Sequence, residues 1–120
     1  MAEPGFTILH RDQFERSGDW LLVRRSLGLE AFGLNLVDIK VGESIPEHDE
    51  QERDQEEVFI VLRGSPTIVI EGARHLVPAG TFIRVEPRLR RTIVNDAAGV
   101  ASVLIASAPR TSGYEPMGWA

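Results

Sequence analysis

A chain of 120 residues, 42% hydrophobic and 26% charged, has the length and balance of one globular domain. A net charge of −5 disfavours nucleic acid, whose phosphates want a basic face, and no apolar run approaches the roughly 20 residues of a membrane helix. Cysteine is absent, which removes disulfides, thiolate nucleophiles and Cys-ligated zinc; with no basic-then-apolar leader at the start, the expectation is a cytoplasmic protein.

In chain order, the only helical pattern is a turn or so at Asp12–Arg16, with Asp12 as its cap. "WLLVRR" (20–25) is an apolar burst that reads as a strand. "FGLNLVDIKVG" (32–42) alternates but changes parity between Leu36 and Val37, which predicts a twist or bulge there. Residues 47–57 then crowd seven acids and one His into eleven positions. "VFIVLRG" (58–64) is a buried-strand run ending at a glycine. "TIVIEGARHLV" (67–77) reads as a hairpin about Glu71-Gly72. "GTFIRVE" (80–86), "RTIVND" (91–96) and "VASVLIASA" (100–108) complete a set of short strands, the mark of an all-β sandwich or barrel. The last stretch, 109–120, is rich in Pro and Gly yet holds Tyr114, Met117 and Trp119. It reads as a tail that docks on its own barrel or on a second subunit, since large apolar side chains are costly to leave in water.

The acidic stretch raises the chemical question. In an extended segment His48 and Glu50 share a face, and Glu57 shares parity with Phe59 and Val61. If Phe59 and Val61 face inward, so does Glu57, and a buried carboxylate needs a metal, a cation or several donors. One His and two carboxylates converging inside a barrel suit iron, manganese, nickel or zinc. Asp49, Glu52, Arg53 and Asp54 read as a solvated loop, Glu56 as the solvent-facing neighbour of Glu57, His10 as a surface residue and His75 as a hairpin residue. Asn95 reads as ending its strand by bonding local backbone. No nucleophile elbow, Walker loop, Rossmann fingerprint or His-Glu-x-x-His motif is present.

These spacings resemble the cupin family, small double-stranded β-helix barrels of the jelly-roll type. Its first motif falls at 42–64: Gly42, five residues, His48, then Glu50 in the place of the second His, and Glu57 followed by six residues and Gly64. Its second motif falls at 80–95. Gly80 and Asn95 match, but Glu86 and Arg88 stand where Pro and Gly belong, and Arg91 replaces the His. The resemblance covers residues 34–108 and implies a single cupin domain over 1–120, all-β, commonly a homodimer. It also implies a metal on three His and one Glu, a set this chain offers only as His48, Glu50, Glu57 and Arg91. Guanidinium has no lone pair to give, so Arg91 cannot ligate; it can neutralise Glu50 and Glu57 instead. The Arg-rich stretch 84–91 and the acidic stretch 47–57 should then be neighbours at the barrel mouth.

The reading that follows is a cupin that binds a small, anionic molecule in the barrel. Its pocket would be built from His48, Glu50, Glu57, Arg91, Phe59 and Val61, with no cofactor and Arg91 as the charged anchor. The alternative is a metal-dependent oxygenase, isomerase or lyase with iron, manganese, nickel or zinc on His48, Glu50 and Glu57. A third is an interaction domain whose pocket is closed by side chains. No nucleic-acid or membrane partner is expected.

Overall fold

The computed structural model describes residues 5–120. It begins with a 3-10 turn at Arg11–Gln13. Two short strands follow, β1 (Arg16–Ser17) and β2 (Trp20–Leu21), then one helix, α1 (Val23–Leu27). The rest is β: β3 (Gly33–Ile39), β4 (Gln55–Arg63), β5 (Thr67–Ile70), β6 (Ala73–Leu76), β7 (Phe82–Val85), β8 (Arg91–Val94) and β9 (Ala101–Pro109).

Two antiparallel sheets form, one of six strands in the order β1-β2-β3-β9-β4-β7 and one of three in the order β6-β5-β8. The main core lies between them. Val37 and Ile39 from β3, Phe59 and Val61 from β4 and Val103 from β9 meet Ile68 and Ile93 of the small sheet. Isolated bridges Ser44↔Val94 and His48↔Arg91 lay the segment before the acidic loop along the free side of β8.

Strand parity produces the inside of this barrel. In β4, Glu57, Phe59 and Val61 are buried while Val58 and Ile60 are half-buried on the other face. The Glu71-Gly72 turn joins β5 and β6 with φ values of 48° and 81°, the two positive angles a type I′ hairpin requires.

Three expectations are corrected. The burst at 20–25 is not one strand: it pairs only at Trp20–Leu21 and then winds into α1, whose Val23 and Leu27 share a face one turn apart and which ends at Gly28 (φ 75°). The parity change at Leu36–Val37 is not a bulge, because the β3–β9 register runs unbroken from Gly33↔Ser107 to Ile39↔Ala101. Both faces of β3 are covered instead, Val37 by the main core and Leu36 by a second cluster with Leu21 and Val23. The register shift lies in β4, between Val61 and Arg63. At the first turn the cap is His10, not Asp12. His10 Nδ1 accepts from the Asp12 amide at 3.2 Å, and Gln13 Oε1 accepts from the His10 amide at 2.8 Å.

Candidate metal centre at the barrel mouth

Backbone pairing sets the site. His48 and Arg91 exchange both main-chain bonds, His48 N–H to Arg91 O at 3.0 Å and Arg91 N–H to His48 O at 2.8 Å, so their Cα atoms sit opposite each other. Glu50 donates its amide to Pro87 O at 2.8 Å and accepts from the Gln55 amide at 3.2 Å, which closes the loop 51–54. Asp54 takes φ 51° in that loop. Asp49 accepts from the Gln51 amide at 3.1 Å, and that bond holds its carboxyl below the usual carboxylate range. The chain then enters β4, whose parity turns Glu57 inward.

Three side chains converge. His48 Nε2 lies 3.3 Å from Glu50 Oε2 and 3.5 Å from Glu57 Oε1. Among the described residues, His48, Glu50 and Glu57 form a group with one donor atom each within 4.8 Å of one another. His48 Nδ1 is 3.0 Å from Pro46 O. A carbonyl can only accept, so this bond puts a proton on Nδ1 and leaves Nε2 facing the two carboxylates. A neutral imidazole would aim a lone pair at two anionic oxygens, an arrangement that calls for a proton or a cation between them.

Arg91 closes the back of the site. It is fully buried, with Nη1 donating to Leu89 O at 2.8 Å and Nη2 to Glu86 O at 3.2 Å. Its Nε is 3.5 Å from Glu57 Oε1, and neither atom has a hydrogen-bond partner of good geometry. Burial pushes the Glu57 carboxyl up. Arg91 opposes that rise, Glu50 adds to it and His48 opposes it.

The expected neighbourhood of acidic and Arg-rich stretches is present. Arg84 bonds Glu56 at 2.9 Å, and Arg90 lies 3.9 Å from both Glu47 and Asp49. The expected pocket is arranged differently. Phe59 and Val61 are 0% and 1% exposed and pack into the core instead of lining a cavity. The Arg91 guanidinium is enclosed and directed at main-chain carbonyls and at Glu57. A groove of about 680 Å³ lies on the outer face of the large sheet, lined by residues such as Phe32, Val58, Ala106 and Tyr114. The tail residues Tyr114, Met117 and Trp119 are exposed, and Tyr114 forms part of the wall of this groove. The partners that sequence reasoning missed are backbone carbonyls of Pro46, Glu86 and Leu89, which carry no side-chain signal.

The family model described as "Cupin domain" matches residues 35–107. The chain belongs to the cupin family. No curated protein matches it. Among solved structures, this cupin is similar to a cupin protein from Bacteroides fragilis, at 19% identity and a TM-score of 0.80, over 98% of this chain and 94% of that one. It is similar to a structure described as a sugar phosphate isomerase from a cupin superfamily, from Silicibacter pomeroyi, at 20% identity and a TM-score of 0.74, over 85% and 75% of the two chains. It also resembles a cupin 2 conserved barrel domain protein from Salinispora arenicola, at 22% identity and a TM-score of 0.61, over 69% and 67%. At these identities the likeness speaks for the fold.

Proposed function

We propose that this cupin binds a small anionic molecule at the barrel mouth through a divalent cation held by His48 Nε2, Glu50 and Glu57. The observation that carries this reading is the buried Glu57 Oε1, which lacks a hydrogen-bond donor and sits 3.5 Å from a His48 nitrogen whose ring is oriented by Pro46 O. An imidazole fixed through its other nitrogen to a carbonyl is the usual preparation of a metal-ligating histidine. One nitrogen and two carboxylates are a donor set suited to manganese, iron, nickel or zinc. Three protein ligands leave coordination positions open, and a cation there supplies a Lewis acid toward a ligand oxygen.

Charge favours an anionic ligand. Two carboxylates, Arg91 and a divalent cation leave one net positive charge in a low-dielectric site, which an oxygen-donor anion such as a carboxylate would neutralise. His48 and Glu50 keep 34% and 21% of their side chains exposed, so a ligand approaching from solvent meets them first. Arg91 stands behind Glu57 and holds it in place.

A second reading rests on Arg91 itself. If His48 is an imidazolium, its Nε2–H serves both carboxylates, and Arg91 with His48 balances Glu50 and Glu57 without a metal. Elemental analysis of protein purified without tag or chelator separates the two. The metal reading expects about one equivalent of manganese, iron, nickel or zinc per chain, lost in His48→Ala. No metal in the preparation, with none taken up on titration with Mn²⁺, Ni²⁺ or Zn²⁺, overturns it in favour of the self-neutralised cluster.

A further inference from the structure

The three residues at the barrel mouth are not held equally. His48 is fixed by two main-chain bonds to Arg91, and Glu57 lies within β4. Glu50 stands at the foot of a loop. Its amide bonds Pro87 O at 2.8 Å, its carbonyl accepts from the Gln55 amide at 3.2 Å, and the turn between is closed by the Asp54 amide on Gln51 O at 3.1 Å. Gln51, Glu52 and Arg53 are exposed, so no buried apolar side chain anchors this turn. A cleft of about 200 Å³ is walled by Gln51 and Asp54 of the loop and by Glu86, Pro87 and Arg88 ahead of β8, so these segments are not packed solid against each other.

The restraint comes from the end of β9. Gln55 pairs with Pro109, so Asp54 and Arg110 are the next residue on each strand. The Arg110 amide donates to Asp54 O at 3.1 Å, and its guanidinium donates to Asp54 Oδ1 from Nε at 3.1 Å and from Nη2 at 2.6 Å. Among the described residues, no other side chain from outside 49–54 bonds residues 51–54. Asp54 also takes φ 51°, a left-handed conformation that glycine adopts at less cost. A glycine would have no carboxylate for Arg110, and that carboxylate is what position 54 contributes. We propose that Arg110 is a positioning residue for Glu50: through Asp54 it locks the 51–54 turn and presents the Glu50 carboxylate to the cation held with His48 and Glu57. The role given to Glu50 rests on the metal reading of that centre; the lock on the turn does not.

The path of restraint is short and continuous. Arg110 fixes Asp54, the Asp54 amide fixes Gln51, and the Gln55 amide returns to Glu50, whose Oε2 lies 3.3 Å from His48 Nε2. The Arg110 and Asp54 side chains are 55% and 41% exposed, and an ion pair that open contributes little to the stability of the whole domain. Its effect is local. A turn already fixed has little ordering entropy left to lose when a cation arrives, so a preset Glu50 binds more tightly than a mobile one. Charge alone gives the opposite sign. Arg110 is positive, and removing a positive charge near a cation site favours the cation. Loss of positioning weakens binding, so the direction of the change separates the two effects.

The test is calorimetric titration of Mn²⁺ into the metal-stripped full chain, wild type against Arg110→Ala, which keeps the main-chain bond to Asp54 and removes only the guanidinium. The variant should raise the Mn²⁺ dissociation constant by roughly 10-fold, the scale of one side chain that must be ordered on binding. The unfolding midpoint of the metal-free variant should stay close to wild type, and Arg110→Lys should recover part of the affinity. Unchanged or tighter Mn²⁺ binding by Arg110→Ala overturns the proposal. Amide hydrogen exchange on metal-free protein reads the lock directly. Exchange at Glu50 and Gln55 should be roughly 10-fold faster in Arg110→Ala, with the Phe59 amide of β4 unchanged. Equal rates at Glu50 and Gln55 in the two proteins overturn the lock. Wild type that takes up no Mn²⁺ sinks the metal reading, and the exchange rates then decide the lock on their own.

Discussion

Replacing Arg91 with Met removes the cation behind Glu57 while keeping much of the side-chain volume. Arg91 is completely buried, and the Glu57 side chain is 9% exposed, so the carboxylate left behind has little access to water. The carbonyls of Leu89 and Glu86 lose their guanidinium donors in the same step. Breaking a buried pair from one side typically costs about 3–5 kcal/mol. For a domain of this size that corresponds to a fall in Tm of roughly 10–20 °C. The sign with pH is fixed by Glu57. Burial already raises its folded pKa, so the folded state binds more protons than the unfolded state just above the ordinary carboxylate range, and stability falls as pH rises through that window. Without Arg91, which opposes that rise, the window extends further upward. The cost of Arg91→Met should therefore be largest at pH 7 and shrink at pH 5, where Glu57 is more fully protonated. The assay is urea unfolding of metal-stripped protein at both pH values, with Arg91→Met/Glu57→Gln as the second corner. The double variant should recover part of the loss, because the stranded charge is gone. A loss below about 1 kcal/mol at pH 7, or a larger loss at pH 5 than at pH 7, would refute the pairing of Arg91 with Glu57.

Gly64 takes φ 85°, and a Cβ there would lie 2.8 Å from Val100 O and 2.9 Å from Ala101 Cα, both main-chain atoms of the strand's neighbour. Gly64→Ala should lower stability by about 3 kcal/mol or more, and an unfolding midpoint near wild type would show that the β4 end can re-route. Asn95 donates to Ile39 O at 2.8 Å and to Gly99 O at 2.9 Å while buried. Asn95→Ala should cost about 2–3 kcal/mol in chemical unfolding, and a loss under about 1 kcal/mol would mean water replaces the amide. Titrating Mn²⁺ or Ni²⁺ into metal-stripped protein should raise Tm in wild type and leave it unmoved in His48→Ala.

Much of the barrel was legible because strands write their own period. The parity of Glu57, Phe59 and Val61 is a property of alternation, and the Glu71-Gly72 turn is a property of the residues that tolerate positive φ. The pairing of acidic and Arg-rich stretches was legible through the spacing of two family motifs. Less visible was anything that depends on what covers a face. β3 shows two apolar parities because both its faces are buried, and a sequence cannot tell that from a bulge. Leu22 to Leu27 has the apolar content of a strand, and only the contact of Val23 and Leu27 with the outer cluster makes a helix the better packing. Asn95 was read as a local strand end. It does bond Gly99, but its second bond, to Ile39, joins β3 to the loop after β8 and depends on the closed fold. Arg91 was legible as the cation beside Glu57, and its bonds to the carbonyls of Leu89 and Glu86 were not, since main-chain carbonyls leave no signature in side-chain letters.

The position of β9 has a consequence for how the chain acquires this shape. It lies between β3 and β4 in the large sheet, yet it follows both in sequence, and β3 and β4 bond to each other only through it. During synthesis the earlier strands therefore wait with unpaired edges until residues 101–109 emerge, and closure joins positions as far apart as Gly33 and Ser107. Long-range pairing of this kind folds slowly and exposes strand edges to aggregation meanwhile. A chain that stops before Ala101 would not be a slightly shortened barrel: it would be two fragments of sheet without the strand that joins them.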